Sequence, residues 1–183
     1  MDINRLLLDI GHGPSNRTSG VYDPGAVAGG ATEHAVVRDI ARAAKLLLDP
    51  FPVVLCPDDR ALSRTIQWIN RNKLPKDCLF ALHMNAGGGT GVEVYYCPDA
   101  PAARKAQAAL LSATLAATLG IRDRGGKPDT ASARGRIAMV RDARLPSFLI
   151  EIAFIDNPAD MDAVRAYGAQ GIADALQALR SEG

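Results

Sequence analysis

Short apolar runs alternate along this chain with amphipathic stretches, and that alternation restricts the fold more than any other feature. Arg5–Ile10, Val53–Cys56, Cys78–His83, Val92–Tyr96, Arg136–Arg141 and Phe148–Ile155 read as strands. Thr32 can cap a helix in which Val36, Val37, Ile40, Ala43, Ala44, Leu47 and Leu48 recur at helical spacing until Pro50 and Pro52 stop it. Asp58 to Asn72 is a second helix with Leu62, Ile66 and Ile69 on one face, and Ala102–Leu119 is a third. Pro158 opens a closing helix to Arg180, expected to break near Gly168. Residues 14–31 and Gly125–Gly135 read as loops, rich in Gly, Pro and polar residues. Strands alternating with helices predict an α/β fold: a single domain over residues 1–183, a twisted, mostly parallel sheet with helices on both faces.

Composition narrows the classes. Of 183 residues 48% are apolar, enough for a core, and the net charge is +1. The balance excludes wholesale disorder and removes the electrostatic argument for nucleic acid or an anionic membrane surface. The longest uncharged run, Ala106 to Ile121, is sixteen residues interrupted by Gln107, Ser112, Thr114 and Thr118. That falls short of the roughly 20 apolar residues a membrane-spanning helix needs. Cys56, Cys78 and Cys97 form no C-x-x-C pair and read as small hydrophobes at strand ends.

Three histidines are available, and two end predicted strands. His12 sits within Gly11-His12-Gly13 after the first strand, and His83 ends Cys78–His83. In open α/β sheets the crevice beyond the carboxyl ends of the strands takes ligands. Two imidazoles there make a candidate zinc site short of one ligand. Glu33, in the first turn of the helix after the long loop, is the best candidate for it. The alternative for each residue alone is a hydrogen-bonded loop histidine, or a glutamate that only meets the helix dipole. His34 is expected to be an exposed helix residue. Glu151 lies inside the apolar run Phe148–Ile155, where a charge is costly unless paired or active. Asn85 either orients a ligand or caps a turn. No serine stands in G-x-S-x-G, no local thiol-hydrolase signature surrounds Cys97, and there is no P-loop or G-x-G-x-x-G.

Taken together, these blocks resemble the zinc-dependent N-acetylmuramoyl-L-alanine amidases with a His-Glu-His metal site, of the amidase type 3 family. The matching segments are Leu8-Asp9-Ile10-Gly11-His12-Gly13, Asp23-Pro24-Gly25-Ala26, Glu33-His34, Leu82-His83-Met84-Asn85-Ala86, Gly91-Val92-Glu93-Val94-Tyr95-Tyr96 and Leu149 to Asn157. They stand in the family's order across nearly the whole chain. Met84 and Ala153 depart from its commoner small residue and glycine. The resemblance implies Zn2+ held by His12, Glu33 and His83, and Glu151 as the catalytic glutamate. It implies a single α/β domain that cuts the amide between the lactyl group of N-acetylmuramic acid and L-alanine in peptidoglycan.

Further expectations follow. Asn85 and Lys127 are candidate substrate-binding residues, with Lys127 and Arg134 meeting the acidic stem peptide. The expected partner is peptidoglycan or a muropeptide, without nucleic acid or membrane insertion, and the expected state is a monomer. Met1-Asp2-Ile3-Asn4-Arg5 puts an acid where a secretory leader carries base. Synthesis in the cytoplasm without a signal peptide, with action on the wall after release, is therefore expected, as in a phage or prophage lysis enzyme. A sporulation enzyme released when the mother cell lyses, or a trimmed domain of a secreted enzyme, would read the same way. The competing readings are a zinc carboxypeptidase, needing an arginine such as Arg64 or Arg141 for a terminal carboxylate, and a non-catalytic wall-binding homologue lacking a site residue.

Overall fold

The computed structural model describes residues 2–181. The chain opens with β1 (Arg5–Ile10), then a long loop closed by a hairpin of β2 (Val27–Ala28) and β3 (Ala31–Thr32). Then follow α1 (Glu33–Leu47), β4 (Val53–Leu55), α2 (Leu62–Asn72), β5 (Asp77–Asn85) and β6 (Val92–Tyr96). The second half holds α3 (Ala102–Leu119), β7 (Asp123–Pro128), α4 (Ala138–Asp142), β8 (Ser147–Phe154) and α5 (Pro158–Ser181). Among the described residues no helix is long and apolar enough to cross a membrane.

Six strands form one sheet in the order β4-β1-β5-β8-β6-β7. The β4-β1-β5-β8 block is parallel, β6 runs antiparallel to β8, and β7 runs parallel to β6. The expected α/β domain with a mostly parallel sheet is the observed one. Strand alternation divides the sheet into two faces. Leu6, Leu8, Phe80, Leu82, Val94, Phe148, Ile150 and Ile152 pack against α1, α3 and α5 in the larger core. Leu7, Leu79, Ala81, Tyr95 and Leu149 meet α2 and α4 through Ile66, Ile69, Met139 and Val140 in a smaller one. Cys56 and Cys78 are buried free thiols, Cys97 is a partly exposed one, and burial pushes the first two thiols up in pKa.

Four local expectations fail for physical reasons. Arg136–Arg141 is not a strand: Ile137 is extended and Ala138–Asp142 is helical. The fully buried Asp129 accepts from the Ile137 amide and from Nε and Nη2 of Arg141, so a tertiary anchor decides what a short apolar run leaves ambiguous. The polar stretch Gly125–Gly135 begins as the edge strand β7, polar because only one of its edges is paired. Helix α5 runs through Gly168 unbroken, since the glycine faces Ile40 of α1, where tertiary packing offsets its poor helix propensity. Helix α2 starts at Leu62 rather than Asp58, leaving the Asp58 carboxylate 3.5 Å from Nε2 of His34.

Candidate metal centre and active site

The site lies on the smaller-core face, where apolar rows end. In register, His83 of β5 lies beside Glu151 of β8, and Glu151 opposite Glu93 of β6. Matched residues of neighbouring strands project to the same face, so the three form a row across the sheet. Gly11, one residue past β1, lies under that row. A Cβ built there would stand 2.5 Å from Cε1 of His83, so glycine is what lets the imidazole lie over the backbone.

The long loop brings the remaining groups in. Gly13 and Asp23 exchange backbone hydrogen bonds at 3.0 and 2.9 Å, folding the loop back onto the end of β1. His12 adopts a left-handed φ of 67° at this turn. The carbonyls of Ala26 and Pro24 accept from the amides of Glu33 and His34, and the Thr32 hydroxyl caps α1 by accepting from Ala35 N. Glu33 is thereby fixed, buried, with both oxygens aimed at the histidines.

His83 Nδ1 lies 2.8 Å from Glu33 Oε1, and His12 Nε2 lies 3.1 Å from Glu33 Oε2. The amides of Met84 and Ala26 donate to those two oxygens. One nitrogen from each histidine and one Glu33 oxygen lie within 4.8 Å of one another, a spacing that suits a metal ion. The two imidazoles meet edge to face at 5.2 Å. Gly25, at φ 69°, leaves the room: a Cβ there would stand 2.5 Å from Glu33 Oε2.

Electrostatics sort the carboxylates into two kinds. Burial alone would raise the Glu33 carboxyl, but hydrogen bonds from His12 and His83 hold it well below the usual range. Burial lowers the His83 imidazole, and the Glu33 contact outweighs it, lifting the ring to about 9. Glu151 behaves oppositely: burial, aided by the charges of Glu33 and Glu93, pushes it up to about 7 against the pull of His83. Its Oε2 is buried with no hydrogen-bond partner among the described residues. Asp9, deeper in the same cleft, is also raised by burial to about 7.

Asp23 orients His12. Its Oδ2 lies 3.0 Å from His12 Nδ1, accepts from Asn16 and forms an ion pair with Arg17. Against the raising effect of burial, the hydrogen bonds of Asn16, His12 and Gly25 hold its carboxyl well below the ordinary value. With Nδ1 turned to this carboxylate, Nε2 is the ring nitrogen that faces Glu33 and would serve a metal.

The sequence candidates are therefore gathered in one cleft of about 870 Å3, lined by His12, Glu33, His83, Asn85, Lys127 and Glu151 among others. Asn85 donates to Glu93 Oε1 and also accepts from Ala86 N, so it faces the site and closes a turn. Lys127 lies on β7 rather than in a loop and pairs with Glu93 at 2.6 Å. Arg134 lines the cleft. His34 is buried, not exposed: Tyr22 packs on its ring and lies 3.3 Å from Nδ1, tying the long loop to α1. Arg141 is committed to Asp129 and does not line the cleft, nor does Arg64. Sequence reasoning missed Asp9 and Glu93, although each is a charge inside an apolar strand, the same signal that singled out Glu151.

The chain is similar to known proteins over most of its length. The profile of the family described as N-acetylmuramoyl-L-alanine amidase matches residues 6–178. The N-acetylmuramoyl-L-alanine amidase CwlM of Bacillus licheniformis is 29% identical over 167 residues, 88% of this chain and 61% of that protein. A sporulation-specific N-acetylmuramoyl-L-alanine amidase of Bacillus subtilis (strain 168) is 27% identical over 166 residues, 88% of this chain and 60% of its own length. The chain thus spans about 60% of the length of these two curated relatives. The crystal structure of an N-acetylmuramoyl-L-alanine amidase from Clostridium difficile 630 superposes with a TM-score of 0.80 at 23% identity, covering 100% of both chains.

Proposed function

The chain belongs to the N-acetylmuramoyl-L-alanine amidase family, and we propose that residues 1–183 form a zinc-dependent catalytic domain that cuts peptidoglycan between the lactyl group of N-acetylmuramic acid and L-alanine. The observation that carries this reading is the His12-Glu33-His83 cluster with the unpaired carboxyl of Glu151 beside it.

The donor set fits zinc. Two imidazoles and one carboxylate held anionic are a ligand set of hydrolytic zinc sites, and the ring of His12 is oriented from behind by Asp23. When bound, zinc supplies Lewis acidity toward the scissile carbonyl. Glu151 handles the proton. With its carboxyl near neutrality, it takes a proton from the attacking water and returns it to the departing amine of L-alanine. Asn85 at the end of β5 and Lys127 on β7, both bound to Glu93, position the peptide. We extend the proposal to intact wall, the substrate of a lysis enzyme.

Mass spectrometry of purified peptidoglycan incubated with the protein tests this reading, with a chelator-treated control. The expected products are stem peptides with a free L-alanine amine and uncut glycan strands, both lost on chelation. Release of C-terminal residues instead would overturn it in favour of a carboxypeptidase.

A further inference from the structure

Glu93 is 3% exposed and saturated with donors. Asn85 Nδ2 and the Tyr95 hydroxyl donate to Oε1 at 2.7 and 2.8 Å, and Arg124 Nε and Lys127 Nζ donate to Oε2 at 2.8 and 2.6 Å. One carboxylate against two cations leaves one uncompensated positive charge on this wall of the cleft. The two cations hold it differently. Lys127 sets its single nitrogen on Glu93, whereas Arg124 uses only Nε. Its guanidinium stands over the Phe154 ring, with Cζ 5.0 Å from the ring centre, and Phe154 is itself pressed against Gly89. Ion pair and ring fix the plane of the guanidinium. Its two terminal nitrogens have no hydrogen-bond partner among the described residues, and Arg124 lines the cleft. A fixed guanidinium fork with free donors matches the planar geometry of a carboxylate.

We propose that Arg124 is a specificity-determining residue that binds a free carboxylate of the substrate's peptide, carried by the residue that follows L-alanine. The proposal deepens the amidase reading and rests on it. Glu93 stands directly opposite Glu151, where paired side chains are about 5 Å apart. The Arg124 fork is therefore within reach of the residue after L-alanine, since one extended residue spans about 3.5 Å. In a peptidoglycan stem that residue is a γ-linked glutamate, whose α-carboxyl is either free or amidated. The free acid offers two acceptor oxygens and a negative charge. The amide puts donor against donor at one of the two positions and brings no charge. The domain discriminates between these two wall chemistries in favour of the acid.

Two matched substrates test this, N-acetylmuramoyl-L-Ala-D-isoglutamate and its isoglutamine counterpart, each with its γ-carboxyl capped as a methylamide in place of the next stem residue, alongside direct binding of the L-Ala-D-isoglutamate and L-Ala-D-isoglutamine dipeptides, capped in the same way, followed by NMR titration. The zinc-loaded protein is expected to favour the acid by about 10- to 100-fold in kcat/KM and in dipeptide affinity. Arg124→Met should bring both ratios close to one, and Arg124→Lys should restore part of the preference. Equal cleavage of acid and amide by the unaltered protein, or an acid preference that survives Arg124→Met, overturns the proposal, and the first of these needs no folded variant. If neither muramoyl substrate is cleaved, the amidase reading falls. An Arg124-dependent preference for the acidic dipeptide then still upholds carboxylate recognition, and equal affinity for the two dipeptides overturns that as well.

Discussion

Toward α1, α3 and α5, strands β5 and β8 present Phe80, Leu82, Phe148, Ile150 and Ile152; toward the cleft, the same strands present Ala81, His83, Leu149 and Glu151. The first face is continuous hydrocarbon, with Phe80 and Phe148 stacked at 5.6 Å. The second begins as hydrocarbon under α2 and α4 and gives way to ionisable groups at the carboxyl ends of the strands. Because side chains alternate, one eight- or nine-residue strand serves both purposes without compromise. The larger apolar core lies on the first side. On the other side the chain tolerates buried groups, Asp9 and Glu151, whose ordinary ionised states the environment disfavours.

The sharpest way to break this comparison is to alter the cleft face alone. His83→Ala removes a metal donor and should lower zinc content and amidase activity together. Glu151→Ala should keep the metal while activity falls by about 100- to 10,000-fold, the range for removing a general base. Zinc analysis beside turnover separates the two; a Glu151 variant that is folded but free of zinc would make that residue a ligand instead of a base. The mirror-image substitution is Phe80→Ala, fully buried on the other face. It should cost about 3–5 kcal/mol in denaturant unfolding, with zinc affinity unaltered. Equal damage to the metal would mean that the faces are coupled through the backbone of β5.

A smaller effect is expected at Asp23, which meets the metal cluster only through His12. Asp23→Asn should weaken zinc binding by about 10- to 100-fold, read by competition with a chelating dye. An unchanged affinity would reduce Asp23 to a brace for the loop.

How far these features could be read in advance depended on the range of the interaction that fixes them. His12 and His83 stand out as strand ends, Glu33 by its place in the first turn of α1 and Glu151 as a charge in an apolar run, and the family resemblance joins the four. Strands β1, β4, β5, β6 and β8 and helices α1 and α3 follow from local apolar periodicity. Helix α4 did not, because its start is set by Asp129, eight residues before the Ile137 amide it accepts from. Nor did the burial of His34, which needs Tyr22 and Asp58 brought from either side. Arg124, a polar residue before Gly125 and Gly126, carries no local signal. Its meaning depends on Glu93, thirty-one positions away, and on Phe154, which no local pattern connects.

The subtlest difference between the faces is one of pH, and Glu151 exposes it. Its carboxyl is raised to about 7 by burial in the metal-free fold, against about 4.3 in an unfolded chain. Between those values the folded state holds more protons than the unfolded state, so its contribution to stability falls as pH rises through the window and is flat above it. A group raised this way is therefore a liability above pH 7 and neutral below pH 4. Glu151→Gln keeps the shape and removes the titration. In the presence of chelator, the variant should unfold at a temperature several degrees above the parent at pH 8, a gain of about 1–2 kcal/mol once relaxation and water entry are allowed for. At pH 4 the two should coincide. A gain of the same size at both pH values would mean that glutamine packs better, and the cost assigned to the buried charge would be wrong. A gain confined to pH 8, in a variant that binds zinc and turns over nothing, would mean that the cleft gives up stability to keep its base.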